Sequence, residues 1–250
     1  MSNKCDQPSM QRRQFIGGTI AAAGAVTLAP GVILHAAAES RQETEGASST
    51  NRWGMLIDTN KCADGCSACV DACNSENGLK GHDRPATDAV WIRTVKLKDM
   101  QTGYISRLPM MCQHCENPPC VDVCPTTASF KLADGLVLVD RHRCIGCRYC
   151  MMACPYKARS FIHEALTNQD VVAPRGKGCV EDCTLCVHRI DQGVLHTACQ
   201  DACEKEGHTA ILFGDLKDPD SEISQVLKTH NSVQIRADLE LNTGVRYLNL

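Results

Sequence analysis

Aromatic residues are scarce in this chain of 250 residues: Phe, Tyr and Trp together make up 4%. Aromatic side chains normally dominate cores, so the conventional apolar core is expected to be small. A surplus of one charge is lacking too. Lys and Arg number 26 against 29 Asp and Glu, a formal net charge of −3, which offers no basic surface to nucleic acid. After residue 40 no stretch approaches the roughly 20 apolar residues of a membrane span. Contact with a membrane must therefore run through the N-terminal segment or a partner. Several enzyme motifs are absent: no G-x-G-x-x-G, no phosphate loop and no H-E-x-x-H. No Cys-x-x-Cys is followed by His, which excludes c-type haem attachment. The nine histidines show no helical pairing of the kind that holds a metal ion.

What is abundant is cysteine, with 18 residues. Cys112, Cys115, Cys120 and Cys124 precede Pro125, and Cys144, Cys147, Cys150 and Cys154 precede Pro155. The latter run reads C-x2-C-x2-C-x3-C-P, the pattern that holds cubane clusters in bacterial two-cluster ferredoxins. The former is the same run with two more residues between its second and third cysteines. Three closely spaced thiolates wrap one face of a cube, and the fourth, beside the proline, ligates the neighbouring cube. An earlier quartet, Cys62, Cys66, Cys69 and Cys73, is one residue longer at its first step and ends at Asn74. Gly65 absorbs the extra residue if it adopts a positive φ. Zinc is the other reading of a lone cysteine quartet, but three neighbouring quartets favour one chemistry throughout. The last quartet is Cys183, Cys186, Cys199 and Cys203, followed by Glu204. Cys179 is left over, either as a free thiol near the site or as an alternative ligand to Cys183. The expectation is four [4Fe–4S] clusters on these sixteen cysteines. Cluster bonds then supply stability that apolar burial does not. With all quartets complete, no iron is left open for a substrate, and no catalytic residue is expected.

Residues 1–38 read as an export signal. Arg12-Arg13-Gln14-Phe15-Ile16 is a twin-arginine motif, an Ala/Gly-rich apolar stretch follows, and Ala36-Ala37-Ala38 offers a cleavage site. An uncleaved anchor is the alternative. Proteins with this address are exported folded, which suits clusters inserted in the reducing cell and argues against reading the cysteines as disulfides. Residues 39–52 are polar and read as a flexible lead-in.

Trp53 to Asp58 reads as a strand delivering the chain to Cys62. Val90, Ile92, Val95 and Leu97, then Tyr104, Ile105 and Leu108, flank the turn signal Gln101-Thr102-Gly103 and predict a hairpin within 89–111 that covers one cluster. Asp134-Gly135 followed by Leu136-Val137-Leu138-Val139 predicts a turn and strand. Residues 164–178 read as a loop. Beyond residue 215 a short polar tail is expected to pack on the body, with Val233, Ile235, Val245 and Tyr247 in edge strands. His114, His188 and His208 lie near quartets and read as donors to cluster sulfur or as solvated groups. Arg148, Lys157 and Arg159 lie near the central clusters, where positive charge raises a potential, or else are solvated surface charges.

Four quartets, with Cys112-Gln113-His114-Cys115-Glu116-Asn117-Pro118-Pro119-Cys120 as the second, resemble the four-cluster ferredoxin-like subunits of membrane-associated redox complexes. Dimethyl sulfoxide, polysulfide, tetrathionate and nitrite reductase systems contain them. The stretches Cys183-Thr184-Leu185-Cys186-Val187-His188-Arg189-Ile190-Asp191-Gln192-Gly193 and Phe213-Gly214-Asp215-Leu216-Lys217-Asp218-Pro219 fit the same pattern. The likeness spans nearly all of residues 53–250 and leans to the DsrO-type subunits of sulfite-reduction-associated DsrMKJOP complexes. The alternative is the electron-transfer subunit of a molybdopterin or cytochrome reductase. The resemblance implies an α+β fold of two nested ferredoxin-like modules, each holding two [4Fe–4S] clusters, with short helices, small sheets and a hairpin insertion. The inner module is 112–163, the outer module is 53–111 with 164–215, and 216–250 is the tail. It also implies a periplasmic electron carrier in dissimilatory sulfur metabolism, held at the membrane by partners. Those partners are an NrfD-type integral membrane quinone subunit, a multihaem cytochrome c and the remaining subunits of the complex. Quartets one and four share the missing proline. This predicts that they exchange Cys73 and Cys203, as quartets two and three exchange Cys124 and Cys154.

Overall fold

The chain is an α+β protein built around its cysteines. The computed structural model describes residues 47–167 and 174–250; the expected export signal and most of the lead-in lie outside the described residues. Strand β1 (Trp53–Asp58) leads through a short 3-10 turn into helix α1 (Ala68–Glu76). Strands β2 (Arg93–Lys98) and β3 (Ile105–Met110) precede helix α2 (Pro119–Asp122) and strands β4 (Ser129–Lys131) and β5 (Val137–Val139). Helix α3 (Tyr149–Ala153), strands β6 (Ser160–Phe161) and β7 (Val180–Glu181), and helices α4 (Val187–Asp191) and α5 (Ala198–Lys205) follow. The chain closes with β8 (Ile211–Asp215), α6 (Glu222–Thr229), β9 (Ser232–Val233) and β10 (Val245–Leu248).

The four-stranded sheet has the order β8-β1-β10-β9. β1 runs antiparallel to β8 and parallel to β10, with Met55 opposite both Phe213 and Val245. Its run of apolar residues has a simple cause. Met55 and Ile57 face the cysteine-lined core, while Leu56 faces the other way and packs with Ile223 of α6 and with Leu248. A strand covered on both faces needs no polar alternation. Trp53 stacks on Phe213 at 5.5 Å between ring centroids, placing two of the few aromatics at one sheet edge of the core.

β2 and β3 form the expected hairpin, with Val95 opposite Leu108. Its turn is set by Gly103 at φ +74° and by Asp99, whose Oδ1 accepts the Gln101 N–H at 2.7 Å. β4 and β5 form a second hairpin around Gly135, which has φ +89°.

The tail departs from expectation. β10 is an interior strand, not an edge: Val245 and Tyr247 are fully buried, and β9 forms the edge beside β10. The partner of β10 is almost two hundred residues away, so no local pattern could mark it as interior. The tail also secures the second quartet. The Tyr247 hydroxyl donates to the Pro109 carbonyl at 3.1 Å and accepts from Gln113 Nε2 at 3.2 Å. Gly244 N–H donates to the Gln113 carbonyl at 2.8 Å. Helix α6 was not anticipated, although Ile223, Val226 and Leu227 carry its apolar face. At the end of the polar lead-in Arg52 is tied down: its N–H donates to Asp215 Oδ1 at 2.8 Å and its guanidinium pairs with Glu116 at 3.2 Å.

Candidate iron–sulfur sites

Each quartet begins with a turn of the same hand. The residue just before the second cysteine is left-handed in all four: Gly65 at φ +77°, His114 at +43°, Gly146 at +70° and Leu185 at +50°. Such a reversal turns successive N–H groups into a concavity, a backbone nest of the kind found around anionic iron–sulfur groups. Glycine adopts this conformation without strain. For His114 and Leu185 it costs about 1–2 kcal/mol, and the side chains offset this by burial, each being 1% exposed.

Helices then carry the later cysteines. Cys69 and Cys73 lie on α1, and Cys199 and Cys203 on α5. Residues four apart share a helix face about 6 Å apart along the axis, so one helix serves two separate sites. α1 packs against α5, which brings cysteines of the first and last quartets together. Cys203 joins Cys62, Cys66 and Cys69 around one cavity, closed by the hairpin residues Thr94, Arg107 and Pro109 and by His208. Cys73, one turn further along α1, lies among Cys183, Cys186 and Cys199. In the inner region Cys115 neighbours Cys120 and Cys154, and Cys112 neighbours Cys120. Cys144 lies near Cys150, and Cys147 sits exposed on the loop between them. Cys124 follows α2, which packs on α3. Cys179 lies beside Cys144, with its Sγ donating to the Arg141 carbonyl at 3.2 Å, and is not part of the group around Cys183.

The electrostatics explain why these groups need a positive partner. Burial first, and neighbouring thiols second, push Cys62 up to about 12 and Cys69 up to about 11. The same causes raise Cys73 and Cys183 strongly. Left alone at neutral pH such groups are uncharged thiols, whereas bound iron deprotonates a coordinating thiol outright. N–H donors already point at sulfur: Ala210 to Cys203 at 3.2 Å, Val180 to Cys144 at 3.4 Å, Ser129 to Cys124 at 3.4 Å. Among the described residues no three His, Cys, Asp or Glu side chains converge on a single metal ion. The donor set and the backbone nests fit iron–sulfur cubes.

The nearby histidines differ in role. His114 is buried, its Nδ1 accepts the Val137 N–H at 3.0 Å, and burial followed by the Arg159 charge holds its pKa down at about 3. It is therefore neutral, with its proton on Nε2. His188 pairs with Glu76 at 2.8 Å. Arg189 binds the same carboxylate at 2.6 Å and reaches Asp201 at 2.7 Å, tying α1, α4 and α5 together. Arg148 is exposed and lies over the Phe161 ring at 4.2 Å, and Lys157 is exposed. Two buried ion pairs went unread in the sequence because their partners follow no helical or strand spacing. They are Arg159 with Asp182 at 3.2 Å and Arg175 with Glu181 at 2.6 Å.

Cysteine-rich turns, paired helices and small sheets define a class, and comparison with known proteins agrees. Residues 103–215 match the 4Fe–4S dicluster domain, and the chain belongs to the ferredoxin-like iron–sulfur subunits of redox complexes. It is an electron-transfer subunit whose cofactors are [4Fe–4S] clusters. It is 40% identical to the Hdr-like menaquinol oxidoreductase iron–sulfur subunit 1 of Archaeoglobus fulgidus, over 96% of this chain and 98% of that one. The iron–sulfur cluster-binding subunit of menaquinone reductase from Nitratidesulfovibrio vulgaris is 32% identical over 79% of this chain and 89% of its own. Protein NrfC of Escherichia coli is 38% identical over 71% of each.

Proposed function

We propose that this chain is a four-cluster wire on the outer face of the cytoplasmic membrane. It passes electrons between an NrfD-type quinone-handling membrane subunit and other redox subunits, among them a multihaem cytochrome c, in a DsrO-type complex of dissimilatory sulfur metabolism. The observation that carries the four-cluster reading is the α1–α5 junction, which assembles two four-cysteine groups from quartets lying more than a hundred residues apart. The ligand sets are Cys62, Cys66, Cys69 and Cys203; Cys183, Cys186, Cys199 and Cys73; Cys112, Cys115, Cys120 and Cys154; and Cys144, Cys147, Cys150 and Cys124. Quartets one and four form the outer module, and quartets two and three the inner one.

When bound, each cluster supplies a one-electron carrier whose potential follows local charge, hydrogen bonds and exposure. The chain's own residues hold sulfur ligands at fixed spacing, exclude water from most of them and aim N–H donors at sulfur. Every ligand position is taken by cysteine, so the chain has no substrate site of its own. The twin arginines Arg12 and Arg13 and the Ala36-Ala37-Ala38 site support export. No helix among the described residues is long and apolar enough to cross a membrane.

Anaerobically purified protein should contain about sixteen iron atoms per chain. Iron near eight with stoichiometric zinc would overturn the outer pair. Replacing Arg12 and Arg13 by lysine should leave loaded protein in the cytoplasm; normal export would refute the address. Co-purification from native membranes distinguishes the complexes. A quinone subunit and a multihaem cytochrome support the reading above, and a molybdopterin subunit would favour the reductase alternative.

A further inference from the structure

Arg159 lies just before β6, and its side chain is 1% exposed. Asp182, immediately before Cys183, stands 3.2 Å from Arg159 Nη2 and is 2% exposed. The ion pair does not exhaust the guanidinium: Nη1 and Nη2 have no well-aligned hydrogen-bond partner, while the side chain is close enough to the Cys150 thiol to lower its pKa by hydrogen bonding, as the Cys112 thiol does for Asp182. After Asp182, the groups that act most on the charge of Arg159 are the thiols of Cys120, Cys112 and Cys150. Cys112 and Cys120 belong to one proposed inner set and Cys150 to the other, so one buried cation stands between both; Asp182 acts on the same three thiols, more strongly than Arg159 at Cys112 and less strongly at Cys120 and Cys150. Stability alone gives little reason to keep it, because apolar residues of similar volume commonly replace a buried ion pair without loss.

We propose that Arg159 sets the reduction potential of both inner clusters, with Asp182 as the residue that orients and partly offsets it. This rests on the cluster reading above. Reduction adds one negative charge to a cluster, and a fixed cation beside its sulfur ligands stabilises that state. The interaction is strong because the surroundings are of low polarity. Its N–H donors act in the same direction, since hydrogen bonds to sulfur also set potential. Arg148 and Lys157 are exposed, so water and salt screen them and they cannot substitute.

The test is an anaerobic redox titration of the whole chain followed by electron paramagnetic resonance, with iron counted in every sample. In Arg159→Gln with wild-type iron, two of the four components should fall to lower potential. At a fixed potential their reduced-to-oxidised ratio should drop at least tenfold, which is about 59 mV for one electron. Arg159→Lys should restore most of the shift, and Asp182→Asn should move the same two components upward. Four unmoved midpoints in fully loaded Arg159→Gln, or four equal shifts, would overturn the proposal. If Arg159→Gln loses iron, the other two variants decide. A near-native Lys variant with an upward Asn shift supports the proposal, and an unmoved or downward Asn variant refutes it. Loss of iron from all three would assign the pair to assembly and also refute it. Failure of the cluster reading is distinguishable, since it would appear as an iron deficit in the unmodified protein.

Discussion

Where quartets one and four meet, two helices of nine and eight residues each carry two cysteines, and an ion network of Glu76, His188, Arg189 and Asp201 ties them. Where quartets two and three meet, the helices have four and five residues. There Cys147 is exposed beside the exposed Ile145 and Tyr149. The contrast follows from chain distance. The inner quartets are neighbours in sequence, so closing the loop between them costs little entropy. The outer quartets are separated by the whole inner region and need a dedicated helix pair and charge clamp. Five of the eight quartet cysteines are buried in each region, and the difference is confined to Cys147, which is exposed, whereas the remaining outer cysteines Cys62, Cys66 and Cys69 are half-buried.

The strongest way to break this comparison is Cys203→Ser. If the helix pair exchanges ligands, the variant should lose the cluster of Cys62, Cys66 and Cys69, about a quarter of the iron, and disturb the Cys183 group less. Iron analysis and resonance spectra of the loaded protein check this. Greater loss at the Cys183 group would reject the exchange.

Glu181→Ala comes next. Glu181 holds Arg175, whose Nη1 donates to the Gly78 carbonyl at 2.9 Å just past α1. Leaving a buried cation without its carboxylate costs about 3–5 kcal/mol. A large fall in the thermal midpoint is expected, and an unchanged midpoint would remove this pair from the contacts that hold the two segments of the outer region together.

Two glycine variants sharpen the comparison. Gly65 and Gly146 hold equivalent places in quartets one and three, but their surroundings differ. A Cβ on Gly65 meets nothing within 4 Å, whereas one on Gly146 would overlap the Gly178 carbonyl. Gly65→Ala should cost about 1–2 kcal/mol from backbone strain alone. Gly146→Ala adds roughly 1–3 kcal/mol of overpacking and should weaken iron binding at the Cys144 group. Equal losses measured by denaturation and iron retention would contradict this.

The smallest effect belongs to the clamp. The hydrogen bond from Arg189, helped by His188, holds Glu76 at about 2, below its ordinary 4.5. A carboxylate lowered in the folded state adds stability that is present above the ordinary value and is lost as pH falls towards the lowered one. Glu76→Gln should cost about 1 kcal/mol at pH 7, given partial exposure. Its difference from the unmodified protein should shrink between pH 4.5 and pH 2. A difference independent of pH in melting experiments would show that Glu76 acts by packing.

Local chemistry wrote much of this protein into its sequence. Cysteine spacing marked the four groups, Gly65 marked one of the reversed turns, and Gln101-Thr102-Gly103 marked the hairpin. These features depend on residues a few positions apart, whose geometry is set by backbone sterics. Tertiary structure decided the rest. It drew β10 into the centre of the sheet, put Cys179 against Cys144, and forced His114 and Leu185 into left-handed turns that their sequence disfavours. It also buried Arg159 while leaving Arg148 and Lys157 in water. Three basic residues within twelve positions look alike in the sequence; only the packing of distant segments determines which of them keeps its charge out of solvent.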